Sequence, residues 1–161
     1  MIVSSIYLSI ISINERALRY VFFLIDMVYL RSYYTLIGGL MTKKIAVLVN
    51  EDTMQRCSCG GCLKAFMNKA DSFERYADED IELVGFTHSG GDLAKKIESF
   101  KKKGVTTVHL STCTRGKNEN YENIAEQCAE AGFDVVGYTH GAAVSKDGKE
   151  AVVLSAKPVE E

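Results

Sequence analysis

Three thiols crowd into six residues of this chain, Cys57-Ser-Cys59-Gly-Gly-Cys62, and a fourth, Cys113, follows at a distance in sequence. Two histidines, His88 and His140, complete a set of soft and borderline ligands. The glycines place the first three sulfurs in a turn that opens a helix. There, free amide N–H groups and the helix dipole favour thiolate over thiol. Thiolate is the form that binds metal, and zinc takes Cys and His together in a tetrahedral set. The same sulfurs with thiolates alone would accept an iron-sulfur cluster. Cys59-Gly-Gly-Cys62 is also a CxxC ahead of a helix, the way thiol-disulfide oxidoreductases present a nucleophile. Metal binding and thiol exchange are therefore the two chemistries open to these residues, and no substrate or reaction is specified.

Regular elements must position these groups. Ile45 to Val49, Ile81 to Phe86, Val105 to Leu110 and Phe133 to Tyr138 are apolar runs of strand length. Between them, apolar residues recur at helical spacing: Cys62, Phe66, Ala70, Phe73 and Ala77; then Leu93, Ile97 and Phe100; then Tyr121, Ile124, Cys128 and Ala131. Gly104 and Gly132 follow the second and third helices where a left-handed cap is expected. Strand and helix alternate, so right-handed crossovers build a mostly parallel sheet with helices on both faces. Ala151 to Leu154, after the Asp147-Gly148 turn, adds an edge strand. The expected fold is a single α/β domain, flavodoxin-like or Rossmann-like.

In such sheets ligands bind beyond the carboxyl ends of the strands. Cys57, Cys59 and Cys62 follow the first strand, His88 ends the second, Cys113 follows the third and His140 ends the fourth. The amino-terminal edge, at Asp80, Gly104 and Gly132, supplies no such ligand. Val84-Gly-Phe-Thr-His88 and Val136-Gly-Tyr-Thr-His140 are the same strand ending written twice, which predicts that both histidines emerge at equivalent depth. His109 lies inside the third strand and Cys128 on the apolar face of the third helix, so both are expected to serve packing.

Composition narrows the class. A chain of 161 residues with 47% hydrophobic content suits one globular domain. A net charge of -2 with interspersed lysines and acids leaves no basic stripe for nucleic acid. Five cysteines without a secretory signal point to free thiols in the reducing cytoplasm. No cysteine has an arginine six positions on, and no GxGxxG or GxxxxGK[ST] loop occurs after a strand. Ser89-Gly-Gly-Asp92 is a weak anion cradle, and Arg115 and Lys117 are expected in a solvated loop. Residues 1–40 form a hydrophobic extension interrupted by Asn14, Glu15, Arg16, Arg19, Asp26 and Arg31, so a membrane-spanning helix is not expected. Met41-Thr-Lys-Lys44 reads as the functional start, with the preceding residues as translated upstream sequence, and the domain as residues 41–161.

From Met41 to about Gly141, the runs Val84 to Asp92, His109 to Cys113 and Gly137 to His140 resemble those of the CGGC-domain proteins, small and mostly prokaryotic. The resemblance implies an α/β fold and zinc binding, without a reaction. By position, Cys57 and Cys62 match a family cysteine pair after the first strand, Cys113 the cysteine after the third, and His140 the terminal histidine. The Cys-Gly-Gly-Cys that names the family falls where this chain has Ser89-Gly-Gly-Asp92, and Cys59 looks like an addition. Loss of two thiols disfavours an iron-sulfur cluster, whereas zinc accepts His and Asp. The expected ligands are Cys57, Cys62, Cys113 and His140, with Cys59, His88 and Asp92 as alternates.

Overall fold

A computed structural model describes residues 42–158. The expectations for residues 1–40 lie outside the described residues. Strand β1 (Lys43–Val49) leads through a short helix α1 (Glu51–Met54) to α2 (Gly60–Met67) and a 3-10 turn (Asp71–Tyr76). Then follow β2 (Ile81–His88), α3 (Leu93–Lys102), β3 (Thr107–Leu110), α4 (Thr112–Lys117), α5 (Tyr121–Glu130), β4 (Asp134–Val136) and β5 (Val153–Leu154). The sheet order is β2-β1-β3-β4-β5, with four parallel strands and an antiparallel β5 at the edge. This is the flavodoxin-like order, and it excludes the Rossmann alternative.

Alternation along β1 sorts the two layers. Ala46 and Leu48 face a core shared with Ile97 and Phe100 of α3 and with Tyr121, Ile124 and Cys128 of α5. Ile45, Val47 and Val49 face the opposite core, with Ala65 of α2 and Phe73 and Tyr76 of the 3-10 turn. Val105 N–H bonds back to the Phe100 carbonyl and Phe133 N–H to that of Cys128, while Gly104 (φ 74°) and Gly132 (φ 91°) turn the chain into β3 and β4. Both glycine caps thus behave as their sequence positions predict.

Two expected elements differ. The apolar series from Cys62 to Ala77 is not one helix: α2 stops at Met67, and left-handed conformations at Lys69 (φ 46°) and at Asp71 (φ 55°), the first residue of the 3-10 turn, break it. The Lys69 ammonium offsets part of that backbone cost by bonding the Ala77 and Glu79 carbonyls. The break carries Phe73 inward to stack on His109, with ring centroids 4.2 Å apart. β4 is also shorter than its apolar run, leaving its ladder at Val136 because Tyr121 occupies the space beside Gly137. Among the described residues no helix is long and apolar enough to cross a membrane.

Candidate functional site

The strand order reverses between β1 and β3, where the crevice of a flavodoxin-like sheet opens. The loops and helix starts after these strands carry Cys57, Cys59, Cys62 and Cys113, and all are free thiols. Cys59 is the left-handed residue (φ 58°) immediately before α2. Its N–H lies 3.3 Å from the Cys57 sulfur, and its own sulfur lies 3.7 Å from the Cys57 carbonyl. Cys62, in the first turn of α2, points toward the loop after β4. There its sulfur meets Thr139 Oγ1 at 3.2 Å and His140 Nδ1 at 3.6 Å. Thr139 Oγ1 also lies 3.1 Å from His140 Nδ1, so the three side chains close a small polar triangle. Cys113, second residue of α4, is held by Ser111 Oγ at 2.9 Å.

Burial and mutual repulsion shape the thiols. Burial pushes the Cys59 thiol up, and the neighbouring Cys57 and the Cys113 sulfur add to it. Burial also raises the Cys62 thiol, the Thr139 hydroxyl pulls it back in part, and Cys113, Cys59 and Cys57 raise it further. The sequence pattern anticipated thiolates favoured by the helix start. For Cys59 and Cys62 that expectation fails, because desolvation and repulsion outweigh the amides and dipole of an eight-residue helix. Cys57 and Cys113 both contribute to the upward shifts of Cys59 and Cys62, in keeping with four thiols gathered at one end of the sheet.

The His140 loop is clamped by side chains. Tyr121 donates to the Gly137 carbonyl (2.8 Å), His109 Nδ1 to that of Tyr138 (3.2 Å), Ser72 to that of Thr139 (2.9 Å) and Thr112 to that of His140 (2.6 Å). Arg115 donates to the carbonyls of Ala142 (3.0 Å) and Ala143. Between backbone bonds to Val152 at Gly137 and to Ala151 at Ala143, this segment thus has its carbonyls satisfied from α4, α5, β3 and the 3-10 turn. The His140 ring lies against Gly61, where an added Cβ would stand 3.2 Å from its Nε2. His109 is sealed between Tyr76 OH (3.0 Å from Nε2) and Ser72 Oγ (3.2 Å from Nδ1). Burial lowers its pKa to about 3, and the Tyr138 carbonyl only partly opposes that shift. It is structural, as its strand position suggested. Cys128 is likewise fully buried, its thiol pushed up to about 12 by desolvation.

His88 and Asp92 make their contacts elsewhere. His88, the last residue of β2, pairs with Val49 in the ladder, and its Nδ1 meets Glu51 Oε1 at 3.2 Å and Lys96 Nζ at 3.4 Å. Asp92 caps α3, accepting the Lys95 N–H at 2.9 Å, a role its place just before Leu93 signals. The expectation of equivalent depth is corrected: β2 keeps its ladder through His88, whereas β4 ends at Val136 and His140 lies out in the clamped loop. What the two runs share is their glycine. Gly85 leaves room for Phe100, and Gly137 leaves room for the Tyr121 hydroxyl. Sequence reasoning missed Thr139, Ser111, Thr112 and Gly61 as partners of the cluster. Only Ser111 carried a signal, as a helix cap ahead of Thr114. Among the described residues no three His, Cys, Asp or Glu side chains stand gathered as a ready metal cage.

The fold and the cluster define a class: a flavodoxin-like α/β domain bearing thiols and one imidazole at its switch point. The CGGC domain matches residues 44–140, and the chain belongs to that family. No curated protein and no solved structure proved similar to it.

Proposed function

We propose that the chain binds zinc or a similar transition-metal ion through Cys57, Cys62, Cys113 and His140, with Cys59 as the alternate thiolate. The observation that carries this proposal is the approach of Cys62 to His140 Nδ1, 3.6 Å apart across 78 residues of sequence. With Zn–S at about 2.3 Å and Zn–N at about 2.0 Å, two ligands of a tetrahedral ion lie about 3.5 Å apart. One edge of a ligand set therefore has a suitable length, and the donors suit a borderline-soft cation. Cys57 is exposed and Cys113 half-buried, so both have room to turn toward that edge. Such a cation would also stabilise the thiolate forms that burial and the neighbouring cysteines otherwise disfavour. When bound by four protein ligands it would act structurally, tying α2, α4 and the loop after β4 together. His88 and Asp92 belong to other contacts and are left out of this set.

Thiol-disulfide exchange through Cys59 and Cys62 is less well supported. It needs a thiol of lowered pKa, and burial raises both. It also gives no role to His140. Titration with Co(II) under anaerobic conditions tests the proposal. Intense visible bands and sulfur-to-cobalt charge-transfer absorption are expected, lost in Cys62→Ala and Cys113→Ala and retained in Cys128→Ala. Weak octahedral bands in the parent, or bands indifferent to Cys62, would reject it.

A further inference from the structure

Arg115 was expected in a solvated loop, yet it is 3% exposed. Its two terminal nitrogens donate to the carbonyls of Ala143 and Ala142, while its buried Nε finds no partner. Among the described residues no carboxylate pairs with its charge, and its nearest aromatic face is Tyr138, 6.0 Å away. Carbonyl dipoles compensate a buried guanidinium only in part, and an uncompensated buried charge is costly. Arg115 forms one wall of a groove of about 330 Å³ that Lys117, Asn118, Ser145 and Lys149 also line. That volume suits a small molecule. Lys149 is already matched by Glu122 at 2.9 Å, so Arg115 and Lys117 are the two cations of the groove with no anionic partner. The carboxylates of Glu119 and Asp147 also line the groove, so an anion there must be held against their charge by Arg115 and Lys117.

We propose that this groove binds a small carboxylate- or phosphate-bearing molecule, with the buried Arg115 as its anchor and Lys117 and Asn118 as further donors. Arginine suits that task because its planar guanidinium carries five N–H donors, of which the Ala142 and Ala143 carbonyls engage one on each terminal nitrogen. The groove shares α4 with Cys113, so a bound anion would sit on the element that also clamps the His140 loop. The site stands apart from the metal proposal and does not depend on it.

Calorimetric titration of the full chain with inorganic phosphate, and separately with succinate, tests this at ionic strength matched with potassium chloride. Saturable one-site binding of at least one probe is expected, and which of the two binds assigns phosphate or carboxylate. Lys117→Glu leaves the loop clamp intact and should weaken that binding by about tenfold or more, because it reverses a charge beside the anion. Arg115→Lys keeps the charge but not the guanidinium and should also weaken it; thermal melting shows whether this variant remains folded. Zinc content should be unchanged in Lys117→Glu. Failure of both probes to saturate, or a Lys117→Glu protein that binds as the parent does, overturns the proposal.

Discussion

The carboxyl edge of the sheet has two halves that use similar sequence differently. Over β1, β3 and β4 stand four thiols and His140; over β2 stand His88, Glu51, Lys96 and Asp92, joined by ionic and capping contacts. Each half is reached by a run of Val, Gly, an aromatic, Thr and His. The glycine does the same work in both, yielding space to an aromatic side chain of the neighbouring helix. The histidines part company because pairing continues to the end of β2 but stops three residues into β4. A short repeated run can therefore specify close packing while the fate of its last side chain depends on where the ladder ends.

The sharpest way to break this comparison is at the glycines. Gly137→Ala would drive a methyl into the Tyr121 hydroxyl and the Val152 backbone, whose nearest atom is 2.7 Å from the added carbon. Backbone cannot step aside, so a loss of about 3 kcal/mol is expected in denaturant unfolding. Gly85→Ala meets side chains alone, the Phe100 ring at 2.6 Å and the Ala46 methyl at 3.3 Å, and should cost less, about 1–2 kcal/mol, since a side chain can shift. Equal costs would remove the distinction between the two runs.

The third histidine provides an internal reference, sealed where the other two are not. His109 has its pKa lowered to about 3, against an ordinary value of 6.5. Between these values the unfolded chain binds the proton and the folded one does not. Its contribution is therefore complete above about pH 6.5 and is lost as pH falls toward about 3, at up to ~1.4 kcal/mol per unit. Denaturation midpoints measured between about pH 7 and 5 should fall accordingly, and a flat profile would contradict the seal. Smaller again, Cys128→Ala should cost about 1 kcal/mol as a core truncation and leave metal content unchanged, whereas Cys113→Ala should release metal. In the ionic half, Asp92→Ala should cost about 1 kcal/mol as a lost helix cap. His88→Ala should cost about 0.5 kcal/mol or less as a surface change. Neither should alter metal content.

Much of this arrangement was legible in the residues. Continuous apolar runs marked the strands, and Gly104 and Gly132 marked the turns into β3 and β4, because these signals are local. The broken helix after Met67 was not legible, since Phe73 and Ala77 keep helical spacing while the turn is set by Lys69, whose ammonium seeks distant carbonyls. Arg115 looked solvated because nothing near it in sequence shows that Ala142 and Ala143 will come to it. The approach of Cys62 to His140 follows from placing both in one ligand set; Thr139 and Gly61, which shape it, carry no ligand signature of their own.

The most direct test of the account is the zinc affinity of protein purified without oxygen, measured by chelator competition on the parent, His140→Ala and His88→Ala. The account predicts that His140→Ala binds at least about tenfold more weakly, since loss of even an outer-shell partner costs roughly 10- to 100-fold, and that His88→Ala binds as the parent does. A parent that takes up no metal, or a His140→Ala protein that holds zinc as tightly as the parent, would contradict it.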